Sequence, residues 1–137
     1  MLIDGVNISE PEIEELQKFI TSLNSKKDSI VVVEGKRDSE ALKRLGFSGK
    51  ICEFYRFKGL ANFSDAMDSY KRLIVLLDLD RKGRYLTSRI ISNLEHRIKI
   101  DLSFKKKLAS ITKGKIRHIE DLSEYCELEE ARFAKRS

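Results

Sequence analysis

Two short stretches limit what this chain can fold into more than anything else in it. Ile30-Val31-Val32-Val33 runs straight into Glu34-Gly35, and Leu73-Ile74-Val75-Leu76-Leu77 runs straight into Asp78-Leu79-Asp80. A strand with one wet face alternates apolar and polar side chains, whereas an unbroken aliphatic run fits a strand covered on both faces, as in a parallel sheet. Both runs end in carboxylates where an ordinary strand would end in a neutral turn.

The segments between and around the runs read as helices. Ser9 with Glu12 three residues on, and Pro11 in the first turn, opens a helix whose Ile13, Leu16, Ile20 and Leu23 share one face. After the first run, Asp38 or Ser39 offers a cap for a helix carrying Ala41, Leu42 and Leu45, stopped at Gly46. Residues 50–57 alternate as a second strand, and Leu60, Phe63, Met67 and Tyr70 return at helical spacing. Beyond the second apolar run, Leu86, Ile90 and Leu94 share a helical face, and Ile98, Ile100 and Leu102 alternate as a fourth strand. Strands separated by such helices require right-handed crossovers, which predicts an α/β fold with a four-stranded parallel sheet and helices on both faces. Residues 1–27 are expected as an N-terminal helical extension. Residues 28–137 are expected as a single domain, with its core in 28–102 and a helical C-terminal tail.

Composition excludes several classes. No apolar stretch approaches the ~20 residues that cross a bilayer, and the first residues lack a secretory pattern, so a soluble cytoplasmic protein is expected with no membrane partner. The two cysteines, Cys52 and Cys126, have no metal-ligand spacing. A formal net charge of +5 suits a polyanionic partner.

In a parallel sheet, ligands sit beyond the carboxyl ends of the strands, where the strand order reverses. If the order is 2-1-3-4, Glu34, Asp78 and Asp80 meet at that edge. Asp78 and Asp80 are two apart and, in extended chain, point the same way. Three close carboxylates repel one another; hard oxygen ligands of this kind suit Mg²⁺, or Mn²⁺ in its place. Gly35 and Gly83 are expected to let backbone approach a ligand. Lys36, Arg37, Lys58, Arg81, Lys82 and Arg84 form a cationic collar around the acids, with Gly35 completing a phosphate-binding rim.

These residues resemble a known family, the Toprim domain of topoisomerases, bacterial-type primases and small nucleases. The likeness rests on the Glu-Gly of "VVVEGKRD" after the first strand and the Asp-x-Asp of "LLDLDRKG" after the third, and covers about residues 28–102. It implies Glu34 as general acid/base, Asp78 and Asp80 as Mg²⁺ ligands alongside it, and Asp38 as a further acidic candidate. Arg81 and Gly83 match the primase- and nuclease-like form, Asp-x-Asp-x-x-Gly. The topoisomerase form prefers an acid where Lys82 stands, which argues against a topoisomerase. The chain is also too short for a gate or for primase modules, and Tyr55, Tyr70, Tyr85 and Tyr125 read as packing residues. The resemblance therefore implies a small stand-alone, archaeal-type Toprim protein, similar to the nucleases that mature five-S ribosomal RNA. The expected function is Mg²⁺-dependent phosphodiester hydrolysis of nucleic acid, with RNA favoured as partner. The alternative is a non-catalytic Toprim module that binds nucleic acid inside an RNA- or DNA-processing complex.

Two other readings of the acids fit less well. A response-regulator receiver carries two adjacent acids after its first strand, and a phosphatase of the Asp-x-Asp-x-Thr type needs a threonine where Lys82 stands. Lys105–Lys107 and "KGKIR" at 113–117 are read evenly as a solvated face or a phosphate-tracking surface. His118, Glu120 and Asp121 could add a base or a second metal ligand, but no spacing ties His118 to the sheet, and a structural role is favoured for it.

Overall fold

The computed structural model describes the backbone of residues 2–3 and 6–136 and the side chains of residues 8–131. Its centre is a four-stranded, all-parallel sheet: β1 (Ser29–Val33), β2 (Ile51–Glu53), β3 (Arg72–Val75) and β4 (Lys99–Asp101). The spatial order is β2-β1-β3-β4, the expected 2-1-3-4. Val31 pairs with Ile74 and Val32 with Val75, so the acid-bearing ends of β1 and β3 emerge side by side. A separate two-stranded ladder joins Leu2–Ile3 to Val6–Asn7.

The sheet lies between two helical layers, and alternation along β1 explains its unbroken apolar run. Val31 and Val33 face one core with Ile74 and Leu76; Ile30 and Val32 face the other with Leu73, Val75 and Leu77. Helices α1 (Glu10–Asn24), α2 (Lys36–Arg44), α5 (Ser103–Ile111) and α6 (Ser123–Arg136) cover the first face. Helices α3 (Gly59–Ala66) and α4 (Arg81–Leu94) cover the second. Ile13, Leu16, Ile20 and Leu23 of α1 are all buried, and Phe19 meets Phe104 of α5 edge-on at 5.8 Å.

Local details depart from expectation in three places. Gly35, and neither Asp38 nor Ser39, caps α2; Asp38 sits three residues in, and its Oδ2 accepts the Gly35 N–H at 3.0 Å. The second strand ends at Glu53, and Phe54–Arg56 turn into a 3₁₀ helix. Glu12 does not close the box with Ser9 through its carboxylate, although the Ser9 Oγ accepts the Glu12 N–H at 3.4 Å. Its buried side chain instead pairs with Lys115 and accepts the Tyr125 hydroxyl at 3.0 Å, joining α1 to α6 and to the segment before it.

At the end of β4, Asp101 is buried, accepts from Arg72 at 2.7 Å, and caps the start of α5 through the Ser103 N–H at 2.8 Å. Burial alone would push its carboxyl up, but the Ser103 hydroxyl and N–H and the Arg72 guanidinium outweigh that and hold it below its ordinary value. A depressed folded pKa contributes stability that is present above the unfolded value near ~3.9 and is lost as pH falls through the folded one. Asp101→Ala should therefore cost about 1–3 kcal/mol at neutral pH. The loss should fade in melts run at progressively lower pH.

Candidate metal centre

The acids sit where backbone geometry forces them together. β3 stops at Val75; Leu76 and Leu77 still alternate between the two cores, Leu79 returns to the first, and α4 begins at Arg81 with Asp80 as its N-cap. The Asp80 Oδ1 accepts the Gly83 N–H at 2.8 Å, which turns the chain sharply into the helix. Gly83 is pressed so closely on Asp78 that a Cβ there would lie 2.7 Å from the Asp78 carbonyl carbon. The expectation for Gly83 is thus corrected: the backbone it admits is that of the protein itself. Gly35 is different, because a Cβ there would meet only Tyr55 Cδ2 at 3.9 Å, so crowding does not demand glycine.

Glu34 and Asp78 are both buried, at 7% and 8% exposure. The Glu34 Oε1 accepts the Asp78 N–H at 3.4 Å and its Oε2 accepts the Tyr55 hydroxyl at 3.2 Å. The Asp78 Oδ1 accepts the Ile119 N–H at 2.9 Å, and the Asp38 Oδ1 accepts the Glu120 N–H at 3.0 Å. Leu79 N–H bonds to the Arg117 carbonyl. The segment between α5 and α6 therefore lies across the carboxyl edge of the sheet and hydrogen-bonds to the acid-bearing loops.

That segment brings His118 into the site, where its Nε2 lies 3.2 Å from Asp80 Oδ2 and its Nδ1 lies 3.6 Å from Asp121 Oδ2. No spacing in the sequence ties His118 to the sheet, yet the fold sets it beside Asp80 and Asp121. One ligand atom from each of Asp78, Asp80 and His118 falls within 4.8 Å of the others. An imidazole backed by a carboxylate on its far nitrogen is a common arrangement for a metal ligand. Two carboxylates and an imidazole form a donor set that Mg²⁺, and more readily Mn²⁺, accepts. Glu34 stands beside this trio, linked to it through the Asp78 N–H.

The electrostatics leave room for a cation. Burial, with the Glu34 charge adding to it, raises the Asp78 carboxyl against the help of the Ile119 N–H; burial likewise raises Asp38, opposed by the Gly35 N–H. Asp80 is lowered, first by the Gly83 N–H and then by His118. Burial works against the His118 imidazolium, but Asp78, Asp121 and Asp80 together raise its pKa. A raised carboxyl pKa means that a proton, or a metal in its place, relieves strain that the ionised fold carries.

The residues of the expected collar are spread unevenly around the acids. Lys36, Arg37, Lys58, Arg81, Lys82 and Arg84 are all exposed. Gly35, Lys36 and Arg37 line a cleft of about 310 Å³ with Glu34, Asp38 and Asp78. A larger hollow, about 700 Å³, is an open groove along α1 between Glu14 and Ser25 and gathers no cluster of acids. Arg37 reaches Glu120 at 3.9 Å and Lys36 reaches Glu40 at 3.9 Å. Lys58 stands at the N-terminal boundary of α3 without a side-chain capping bond and is not part of the cleft.

One cation of the site carries no distinguishing signal in the sequence. Lys105 is half-buried in α5, with its Nζ 3.3 Å from Thr87 Oγ1. Burial and then Arg84 lower its pKa, while Glu34, Asp78 and Asp80 all act to raise it, which places its charge in the field of the acids. The two cysteines are free, and burial pushes their thiols up to about 12 for Cys52 and about 11 for Cys126, so neither is a ready nucleophile.

Fold and site together define an α/β protein with a carboxylate-and-histidine cluster at the switch point of a parallel sheet. The chain belongs to the UPF0292 family. It is 33% identical over 123 residues to the UPF0292 protein of Pyrococcus abyssi, covering 89% of this chain and 86% of that one. It is 32% identical over 124 residues to the UPF0292 protein of Methanosarcina acetivorans, covering 88% and 85%. Its structure is similar to that of a putative protein from Aquifex aeolicus, with a TM-score of 0.60 and 26% identity over 84% of this chain and 97% of that one. No protein-family model matches the chain. Among the described residues, no helix is long and apolar enough to cross a membrane.

Proposed function

We propose that this chain is a small Toprim-type hydrolase that cleaves phosphodiester bonds in nucleic acid, RNA foremost, with Mg²⁺ or Mn²⁺. The observation that carries the reading is the convergence of Asp78, Asp80 and His118 within 4.8 Å, with buried Glu34 bonded to the Asp78 N–H beside them. A bound divalent cation supplies charge neutralisation and Lewis-acid polarisation of a phosphate oxygen. Asp78, Asp80 and His118 would hold it. Glu34, fixed from both sides by the Asp78 N–H and the Tyr55 hydroxyl, is placed to take a proton from the attacking water and return it to the leaving oxygen. Lys105, held at Thr87 where it feels the charges of Glu34, Asp78 and Asp80, would offset the charge that grows on the phosphate. Arg81, Lys82 and Arg84, at the start of α4, meet the flanking phosphates together with the helix N-terminus.

The test pairs cleavage with a binding readout. Structured RNA, single-stranded RNA and duplex DNA are incubated with Mg²⁺, Mn²⁺ or EDTA, and products are resolved on gels. In parallel, Mn²⁺ should raise the melting temperature at neutral pH, by about 1.4 kcal/mol of stability at ten times its dissociation constant. The increment should shrink as pH falls, because a metal must displace protons from Asp78, whose pKa is raised. Metal-dependent melting without cleavage of any substrate would leave a non-catalytic binding module; no melting shift and no cleavage would end the reading.

A further inference from the structure

Among the described residues two large apolar side chains are exposed, Tyr55 at 55% and Tyr85 at 65%. Both were expected to pack, as Tyr125 does at 1%, and for these two the structure corrects that expectation. Tyr55 follows β2, and its hydroxyl bond to Glu34 fixes the ring at the edge of the acidic centre. Lys82 Nζ lies 5.1 Å from the centroid of that ring. Lys82, Tyr85 and Arg89 follow at intervals of three and four residues along α4, so they share one helix face. All three are exposed. The surface leading away from Glu34 is therefore a stripe of ring, cation, ring, cation.

We infer that this stripe binds a single-stranded nucleic acid, with unpaired bases stacked on Tyr55 and Tyr85 and backbone phosphates against Lys82 and Arg89. The inference rests on the function proposed above and names its substrate class. Cations alone would serve a duplex, whose base faces are already stacked on one another and whose phosphates are all that most of its length offers. Two exposed rings, Tyr55 beside the Lys82 ammonium and Tyr85 on the helix face shared by Lys82 and Arg89, fit a strand whose base faces are open. A strand on this stripe would lead its backbone toward Glu34 and the acids behind it.

The experiment measures binding in EDTA, where cleavage cannot interfere, using fluorescent oligouridylate, oligothymidylate and a blunt duplex of matched charge. The chain has no tryptophan, so its intrinsic emission comes from tyrosine and should be quenched by stacked bases. Both single strands should bind tighter than the duplex. Tyr85→Ala should weaken single-strand binding about tenfold and Tyr85→Phe should not, because stacking needs the ring and not the hydroxyl. Tyr85→Leu should behave like alanine, which separates stacking from apolar area. The salt slope should persist in Tyr85→Ala but fall by about one in Arg89→Gln, since the slope counts phosphates. Equal duplex binding with a silent Tyr85→Ala would overturn the stripe and leave the hydrolase reading standing. Failure of every nucleic acid to bind would overturn both.

Discussion

Asp78→Asn and Asp80→Asn are expected to lower metal-dependent cleavage by at least about a thousandfold while the chain stays folded. Asparagine is the informative choice because each carboxylate also has a structural task that an amide oxygen can perform. Asn at 80 still caps α4, since Asn and Asp rank alike at that position and the acceptor for the Gly83 N–H remains. Asn at 78 still offers an acceptor to the Ile119 N–H. What disappears in both is the negative charge. The melting temperatures in EDTA should then move in opposite directions. The Asp78 carboxyl is raised in the fold by burial and by Glu34, so its ionised form works against folding at neutral pH, and Asp78→Asn should melt at the same temperature or higher. Asp80 is lowered by the Gly83 N–H and His118, so its charge supports the fold, and Asp80→Asn should melt slightly lower. Both variants should lose the Mn²⁺-induced shift. Unchanged cleavage by Asp78→Asn would remove the metal assignment whatever the melts show.

The parts of this arrangement legible in the sequence are those set by local pattern. Unbroken aliphatic runs mark β1 and β3 as doubly covered strands, and with the order 2-1-3-4 they are neighbours, which puts Glu34 and Asp78 at one edge. His118 could not be found this way. It lies 38 residues from Asp80, and its approach depends on how the chain turns after α5. There Lys113 and Gly114 both adopt positive φ, 54° and 72°, and Glu12 of α1 pairs with Lys115. The Lys-Gly pair signals a reversal, but only the fold shows that the reversal returns the chain to the sheet edge. Lys105 was hidden for a related reason: in a run of three lysines, only packing against Thr87 distinguishes it from Lys106 and Lys107, which are exposed. An aromatic residue in an amphipathic helix usually packs, which is why Tyr85 reads as a packing residue from the sequence. Tyr85 lies on the face of α4 opposite the buried Ile90 and Leu94, a distinction that spacing from Leu86 alone does not make.

Gly83→Ala should destabilise the chain clearly, although glycine inside a helix is usually a liability. An exposed helical Gly→Ala change gains about 1 kcal/mol from backbone entropy and propensity. Here the new methyl would be driven into the carbonyl of Asp78, with its carbon 2.7 Å and its Cα 3.0 Å from the added Cβ. Backbone cannot rotate out of the way as a side-chain end can, so the first turn of α4 must lift from the strand. Overpacking of this kind costs about 1–3 kcal/mol and more where backbone is displaced, which outweighs the helical gain. A net loss of about 2 kcal/mol or more is expected, read as a drop of several degrees in melting temperature. The displacement also carries Asp80, Arg81 and Lys82 away from Asp78, so metal-induced stabilisation should weaken together with the fold. Gly35→Ala is the control: its φ of −144° is open to any residue, and its nearest obstacle is an ordinary 3.9 Å contact with Tyr55. That variant should melt within about a degree or two of the parent. If both alanine variants melt alike, the close seating of α4 on the end of β3 is not what holds the two aspartates together.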